Sequence, residues 1–258
     1  MSSKPLRFVT LPISHYCEKV RWALERQGVP FIEEGHGPVL HAFSTMPLTG
    51  GKSRTVPILV DENLSPRRVL IDSTDCLRHL ADHYGASWLY AHPEAAALED
   101  ELDDKLGPAT RRFAYFYLLP ERATADVLTQ NVPSWEASFA RAMFPLIRRG
   151  MAKAMNISPE GAQRSLGQLR ELMERYGARL ADGRRYLCGD TLTAADLTFA
   201  ALASPVIFPS GYAKITMPDI TAMPTPLREE VQRQRQSPAG QFVLRLYAEE
   251  RAKTIRSA

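Results

Sequence analysis

A serine stands where a helix is predicted to begin, and a side chain there can stabilise a negative charge. Ser14 precedes a run in which Val20, Ala23 and Leu24 recur at helical spacing. A hydroxyl at the amino end of a helix can donate a hydrogen bond to an anion, and the backbone N–H groups and the helix dipole favour the same charge. The alternative is a serine that only caps the helix, a role that serine fills commonly. The pattern therefore predicts a cap, an anion site or both.

The cysteines and histidines predict neither a disulfide framework nor a metal site. The cysteines, Cys17, Cys76 and Cys188, are odd in number and widely separated, which favours reduced thiols. Cys17 lies one turn inside the predicted helix, where thiol chemistry competes with the more common role of a small buried apolar residue. His79 and His83 are four residues apart and can share a helix face, but no third ligand accompanies them. We expect no bound metal.

Length, composition and charge are those of a globular chain with one or two domains. Of 258 residues, 45% are hydrophobic and 24% charged, which permits a packed core. Lys and Arg number 32 against 29 Asp and Glu, too small an excess for a nucleic-acid-binding face. Residues 1–7 lead into no apolar run of signal-peptide length, and no stretch approaches the ~20 apolar residues of a spanning helix. We expect a cytoplasmic protein that binds neither nucleic acid nor membranes.

Strand and helix patterns alternate in the first 85 residues. Strands are predicted at residues 6–10, 29–33, 57–60 and 69–72, and helices at residues 14–27 and from 73 to about 84. Gly28 predicts the end of the first helix as a carboxyl-terminal cap. Residues 34–55 are rich in Gly, Pro, Ser and Thr and predict a loop with at most a short helix.

Helical patterns replace the strands after residue 93. Apolar residues at positions 98, 102, 106, 109, 113 and 116 form one stripe, on a helix that Gly107 and Pro108 should bend. Further helices are predicted at about 134–155, 159–181, 194–203, 226–236 and 238–254. Residues 120–133 predict an irregular insertion, and residues 204–227 a loop, because prolines are too frequent there for a helix to continue. The domain boundary is expected in residues 85–92.

Four segments together resemble the cytosolic glutathione transferase (GST) superfamily. They are residues 14–21 (SHYCEKVR) opening a helix, 55–57 (TVP) before a strand, 72–73 (DS) opening the next helix, and 189–196 (GDTLTAAD). The resemblance implies the fold class α/β plus all-α. It places an N-terminal thioredoxin-like βαβ-ββα domain at residues 1–85 and a C-terminal helical-bundle domain at residues 93–258. It also implies a homodimer and glutathione as co-substrate.

The resemblance implies that the thiol of glutathione lies against the hydroxyl of Ser14. Ser14 is then the catalytic residue, because it would stabilise the thiolate of glutathione. The glutathione thiol resembles that of a cysteine, with a pKa of about 8.5. In glutaredoxin-like and omega-class relatives a reactive cysteine occupies the position of Ser14, not that of Cys17, so the resemblance implies a serine-type active site. Cys17 remains a candidate contact to glutathione.

The other glutathione contacts follow from the same resemblance. A cis proline at Pro57 would present the backbone of Val56 to the cysteinyl part of glutathione. Asp72 and Ser73 would receive the amine and carboxylate of its γ-glutamyl part, since a helix begins there. The family's lysine before Val-Pro is replaced by Thr55, so the candidates for the glycine carboxylate are the nearby basic residues Lys52 and Arg54.

The second substrate is expected to be an electrophilic, apolar small molecule. Tyr16, Arg112 and Tyr115 are candidates for its pocket, and the segments 120–133 and 204–227 are candidate lids. The implied activity is that of a glutathione S-transferase, as in detoxification. Two alternatives stay open: a glutathione-dependent thiol oxidoreductase that uses Cys17, and a non-catalytic GST-like protein that binds ligands.

The last of the four segments also predicts a folding element. Thr193 and Asp196 have the spacing of a reciprocal helix cap, with Leu192 and Leu197 placed to pack across it. This capping box is expected to start the central buried helix of the second domain.

Overall fold

A small mixed sheet lies in the first third of the chain. The computed structural model describes residues 4–253. Its strands are β1 (Leu6–Thr10), β2 (Phe31–Gly35), β3 (Ile58–Asp61) and β4 (Arg68–Leu70), in the order β2-β1-β3-β4. β1 runs parallel to β2 and antiparallel to β3, and β3 runs antiparallel to β4. This is the predicted thioredoxin-like arrangement.

Three helices accompany this sheet: α1 (His15–Gln27), α2 (His41–Leu48) and α3 (Ser73–His83). Ser14 caps α1 by accepting a hydrogen bond from the Cys17 N–H, and Gly28 ends the helix with φ at 67°, a conformation that glycine adopts without steric cost. Both ends of α1 therefore follow from local sequence. α2 occupies part of the segment that was predicted as a loop with at most a short helix.

The second part of the chain is helical. After a 3₁₀ turn at Ser87–Tyr90, its helices are α4 (Ala95–Glu101), α5 (Gly107–Leu118), α6 (Ala123–Leu128), α7 (Ser134–Ala142), α8 (Phe144–Ala154), α9 (Pro159–Arg179), α10 (Ala194–Ile207), α11 (Thr225–Gln236) and α12 (Pro238–Leu246). α4 and α5 are joined by a π-helical turn, Leu102–Leu106, directly before the predicted bend at Gly107 and Pro108. A second π-helical turn, Tyr247–Arg251, follows α12, and the predicted helix end at residue 254 lies outside the described residues.

Three sequence expectations for this part were wrong. Residues 120–133 are not wholly irregular, because α6 lies within them. The helix predicted at 134–155 is two helices, α7 and α8, that meet at Met143, with Pro145 in the first turn of α8. α10 continues past Pro205 to Ile207, and the remaining residues up to 224 contain short 3₁₀ turns at Tyr212–Lys214 and Ile220–Ala222.

α10 forms the centre of the core and packs against α1, α4, α5, α11 and α12. The predicted capping box is present at its start. Asp196, with no exposed surface, accepts hydrogen bonds from the Thr193 N–H (2.8 Å), the Thr193 hydroxyl (3.0 Å) and the Leu187 N–H (2.6 Å). Burial raises the pKa of Asp196 to about 6, although these hydrogen bonds oppose the rise. The cap thus ties the preceding loop to the central helix.

A buried network of charged side chains joins α1 to the end of the described chain. Arg251 donates from Nε to Glu18 (2.8 Å) and from Nη1 to Glu25, and it has no exposed surface. Arg21, also buried, forms ion pairs of 2.6 Å with both Glu18 and Glu33. Two carboxylates of α1 are therefore paired with one residue that follows them by more than 220 positions.

No helix between residues 4 and 253 is long and apolar enough to cross a membrane. The outer ends of the two predicted domains, residues 1 and 258, lie outside the described residues, and the domain bounds stay predictions.

Candidate functional site

Two cavities of different character share one residue, Arg111, in their walls. The polar cleft has a volume of about 730 Å³ and is lined by Tyr16, Thr55, Val56, Pro57, Ile71, Asp72, Ser73, Thr74, Asp75, Arg78, Asp100, Asp103, Asp104 and Arg111. The apolar cavity, of about 130 Å³, is enclosed mainly by Ile13, α5, α6 and residues 205–224. A molecule held in one cavity can therefore approach a molecule held in the other.

The polar cleft brings together most of the predicted glutathione contacts. The peptide bond between Val56 and Pro57 is cis, as predicted, and both residues line the cleft. Asp72 caps α3 by accepting the Thr74 N–H at 2.8 Å, and Ser73, only 2% exposed, is the first residue of that helix. The amino end of α3 therefore faces the cleft, where its N–H groups and its dipole favour an anion.

Acidic side chains dominate the charge of the polar cleft. Its wall holds aspartates at positions 72, 75, 100, 103 and 104, against the basic residues Arg78 and Arg111. Asp103 accepts hydrogen bonds at Oδ2 from Lys19 (2.5 Å) and Thr74 (2.9 Å). Its other oxygen, Oδ1, is buried without a hydrogen-bond partner in the part of the chain that the structure describes. Burial raises the pKa of Asp103. The cleft wall thus carries more negative than positive side chains, which favours a cationic group.

Tyr16 forms the inner wall of the cleft and is held by the turn before α5. Its hydroxyl donates to the carbonyl of Asp103 at 2.8 Å, and its ring lies 4.6 Å from that of His15. A Cβ atom at Gly107 would meet the Tyr16 hydroxyl and would approach the ring carbon Cζ to 2.7 Å, so the glycine permits this contact. Burial raises the pKa of Tyr16, so its hydroxyl is protonated at neutral pH.

Ser14 is close in sequence to residues that line each of the two cavities, but it lines neither of them. Ile13 and His15, its neighbours, line the apolar cavity, and Tyr16 lines the polar cleft. The half-buried Ser14 hydroxyl accepts the Cys17 N–H at 3.4 Å. The serine therefore acts as a helix cap in this structure, which is the alternative that the sequence left open.

Cys17 is a fully buried residue of α1. Its side chain has no exposed surface and lines neither cavity, and burial raises the pKa of its thiol to about 12. A thiol in this setting is protonated at neutral pH and sterically shielded. Its placement among the glutathione contacts is therefore corrected: Cys17 is a buried apolar residue of the core.

Lys52 and Arg54 lie on the exposed turn after α2 and are not part of the cleft wall. They precede Thr55, which does line the cleft. A ligand that extends past Val56 would approach this turn, so the two basic side chains remain at its rim.

The apolar cavity contains Tyr115 but not Arg112. The Arg112 guanidinium donates to the Met155 carbonyl (3.3 Å) and to the Ser165 hydroxyl (2.9 Å), which fixes it against α9. Arg111, one position earlier, lines the cavity instead, four residues before Tyr115. Residues 123–128 and 205–224 both contribute to the wall, so the two segments predicted as lids line this cavity, and their role as lids stays a prediction.

His15 enters the apolar cavity as a neutral ring. Its Nε2 lies 3.1 Å from the Gly107 carbonyl. Burial, assisted by the nearby charge of Arg111, lowers the pKa of His15 to about 3. Because the ring is neutral, Nε2 must carry the proton that is donated to Gly107. His15 thus brings no charge to the cavity.

Among the described residues, no three His, Cys, Asp or Glu side chains are arranged to hold a metal ion. His79 forms a hydrogen bond of 2.8 Å with Asp61, and its ring packs tilted against that of His83, with ring centroids 4.7 Å apart.

Two family models match the chain. Residues 8–88 match the glutathione S-transferase N-terminal domain, and residues 159–225 match the glutathione S-transferase C-terminal domain. The chain belongs to the glutathione S-transferase superfamily, which uses glutathione as co-substrate. The segment between the two matches includes α6, α7 and α8. A search of curated proteins found no match.

Solved structures of GST-like proteins share the fold at low sequence identity. A glutathione transferase family member from Pseudomonas fluorescens pf-5, with two glutathione bound, has a TM-score of 0.61 at 16% identity over 98% of this chain and 92% of its own. Glutathione transferase F2 from Populus trichocarpa has a TM-score of 0.61 at 16% identity over 98% of both chains. The beta-etherase LigF from Sphingobium sp. strain SYK-6 has a TM-score of 0.58 at 16% identity over 93% of this chain and 98% of its own. The fold is therefore shared by proteins with different activities.

Proposed function

We propose that this protein is a glutathione S-transferase, in which the polar cleft binds glutathione and the adjoining apolar cavity binds an electrophilic small molecule. One observation carries the proposal: Val56, Asp72 and Ser73, from separate segments, line one cleft that shares Arg111 with an apolar cavity. A polar co-substrate and an apolar acceptor need such a pair of sites side by side.

The cleft suits the two charges of the γ-glutamyl group. The carboxylate would lie at the amino end of α3, where the Ser73 hydroxyl and N–H can donate to it. The ammonium group would lie against the carboxylates of Asp72 and Asp103, which both line the cleft. This arrangement would explain why the cleft is rich in aspartate although glutathione is itself an anion.

The remainder of glutathione would follow the turn that contains the cis proline. The cysteinyl backbone would pair with Val56, and the glycine carboxylate would extend past Thr55 towards the exposed Lys52 and Arg54. The sulfur would then lie near the start of α1, between the cleft and the apolar cavity.

Ser14 is proposed to stabilise the thiolate. On binding, its O–H would donate to the sulfur of glutathione, while its oxygen continues to accept from the Cys17 N–H. Lowering the thiol pKa by two units requires about 2.7 kcal/mol, which one hydrogen bond to an anion and a helix amino terminus together can supply. The thiol proton leaves to solvent, sulfur forms a bond to the electrophilic carbon, and the leaving group departs with its electron pair. With an addition substrate, a carbon takes up a proton instead.

The burial of Cys17 weighs against the oxidoreductase alternative, because a disulfide exchange would need this thiol at the surface of the cleft. From the family we also propose a homodimer, a cytoplasmic location, a role in detoxification, and the domain bounds 1–85 and 93–258.

Titration calorimetry tests the binding half of the proposal. Wild type is expected to bind glutathione at millimolar concentration or below, and Ser73→Ala to bind it about tenfold more weakly, because one hydrogen bond to a carboxylate is lost. Wild type that binds no glutathione, or Ser73→Ala that binds it equally well, would contradict the site.

Single-turnover kinetics against pH test the chemical half. Ser14→Ala is expected to raise the pKa of bound glutathione and to slow conjugation of 1-chloro-2,4-dinitrobenzene roughly 10- to 100-fold near neutral pH. Cys17→Ala should react nearly as wild type does. Ser158→Ala is the matched control, because it removes a serine cap of the same kind from α9. An inactive Cys17→Ala beside a normal Ser14→Ala would overturn the mechanism.

A further inference from the structure

Arg111 lies at the junction of the two cavities and is a cation without an ion-pair partner among the described residues. It lines both of them, and its charge helps to lower the pKa of His15 and opposes the rise in the pKa of Tyr16 and Tyr115. These three side chains surround the junction. Between residue 4 and residue 253, no carboxylate lies within ion-pair distance of Arg111, and its guanidinium donates no hydrogen bond.

The side of the junction that faces the apolar cavity offers nothing to balance this charge. His15 is neutral, and Glu121, the carboxylate in the cavity wall, is exposed and forms no ion pair with Arg111 in the described chain. The next residue, Arg112, is held by two hydrogen bonds against α9. A partly buried cation beside apolar walls gains from an anionic partner, because such walls screen charge poorly.

The cleft side adds a directional effect. Its wall holds five aspartates against two arginines, and its one anion-favouring element, the amino end of α3, is already assigned to glutathione, so the cleft disfavours a second anion. An anionic group that enters through the apolar cavity would therefore stop at Arg111 rather than compete for the glutathione cleft.

We propose that Arg111 binds an anionic group of the second substrate, so that the preferred acceptors are apolar electrophiles that carry a carboxylate or a sulfonate. This inference rests on the proposed function, because it assigns the acceptor class of the same site. The guanidinium offers paired N–H donors in the geometry that a carboxylate accepts, and the apolar cavity receives the hydrocarbon part.

The test compares two glutathione conjugates that differ only in one carboxylate. Affinities for S-benzylglutathione and S-(4-carboxybenzyl)glutathione are measured by calorimetry in 0.1 M salt, so that no turnover is required. Wild type should bind the carboxylated conjugate about tenfold more tightly. In Arg111→Gln this preference should disappear, while the affinity for S-benzylglutathione changes less than threefold. Arg111→Lys should keep part of the preference, because it keeps the charge but not the paired donors.

A matched control is Arg122→Gln, which removes an exposed cation from the segment beside the cavity and should leave the preference intact. Thermal unfolding of each variant verifies that it is folded.

Four results would overturn the inference. Wild type could bind both conjugates equally, or Arg111→Gln could keep the preference, and either result leaves the proposed function standing. Arg111→Gln could instead weaken both conjugates and glutathione alike, which would make Arg111 a glutathione contact. If wild type binds neither conjugate nor glutathione, the proposed function fails together with the inference.

Discussion

The carboxylate of Asp196 should make the stability of this protein fall as pH rises through the range in which the folded protein titrates. Its pKa is about 6 in the folded chain against an ordinary value of 3.8, because it is fully buried and no cation lies among its hydrogen-bond partners. Between these two values the folded state holds a proton that the unfolded state has lost. The contribution is therefore complete below pH 4 and is lost as the pH passes 6.

The size of the effect follows from the difference in pKa. Two units correspond to roughly 3 kcal/mol, of which about 2 kcal/mol falls between pH 4.5 and pH 7.5. Asp196→Asn removes the titrating group and leaves at least one donor of the cap without its acceptor. It should therefore be less stable than wild type at pH 4.5. The difference should be about 1 to 3 kcal/mol for the lost hydrogen bond, plus the free energy that wild type gains because its folded state binds a proton at this pH. This difference should shrink by about 2 kcal/mol at pH 7.5.

Urea unfolding followed by tryptophan fluorescence measures both quantities. Asp190→Asn serves as the control, because Asp190 is exposed on the loop just before the cap. The free energy of unfolding of this control should change with pH in the same way as that of wild type. If Asp196→Asn also runs parallel to wild type between the two pH values, the carboxylate does not titrate as its burial requires, and the reasoning is refuted.

Two further predictions concern the surroundings of the site. Gly107→Ala should lower stability by about 1 to 3 kcal/mol and slow conjugation, because its Cβ overlaps the Tyr16 ring; an unchanged urea midpoint would show that Tyr16 moves aside freely. Iodoacetamide at pH 8 should label the native protein far more slowly than the unfolded protein, since burial raises the pKa of Cys17, Cys76 and Cys188. Rapid modification of one thiol in the native state would contradict this.

The sequence correctly predicted those features that depend on residues within about one helical turn of each other. The start of α1 at Ser14, its end at Gly28 and the capping box of α10 each depend on residues at most four apart. The helix end predicted before Pro205 was wrong, because this part of the helix is stabilised partly by a contact from another helix. It leaves the Ala201 carbonyl without its helical donor, and the Ser204 hydroxyl donates to that carbonyl at 2.6 Å. Arg235, from α11, then caps the carbonyls of Ile207 and Phe208.

The candidate site shows the same division. The sequence predicted the polar cleft through Val56, Asp72 and Ser73, because each lies at a turn or helix start with its own local signal. It favoured Arg112 over Arg111 because residues three and four before Tyr115 share a helix face equally well. Packing against α9 decides between them. Asp103 carried no local signal at all, since its role depends on Lys19 and Thr74 from the first third of the chain.

The pairing of Arg251 with α1 has a consequence for synthesis of the protein. Glu18 and Glu25 leave the ribosome more than 220 residues before Arg251, so a first domain that folds on its own holds these two carboxylates without that partner. Lys214, which contacts Glu25 at 2.5 Å, also follows late. We expect this face of α1 to stay hydrated in the nascent chain until the helical part covers it. The two halves are separable by sequence pattern, but the ion pairs on this face of α1 require both of them.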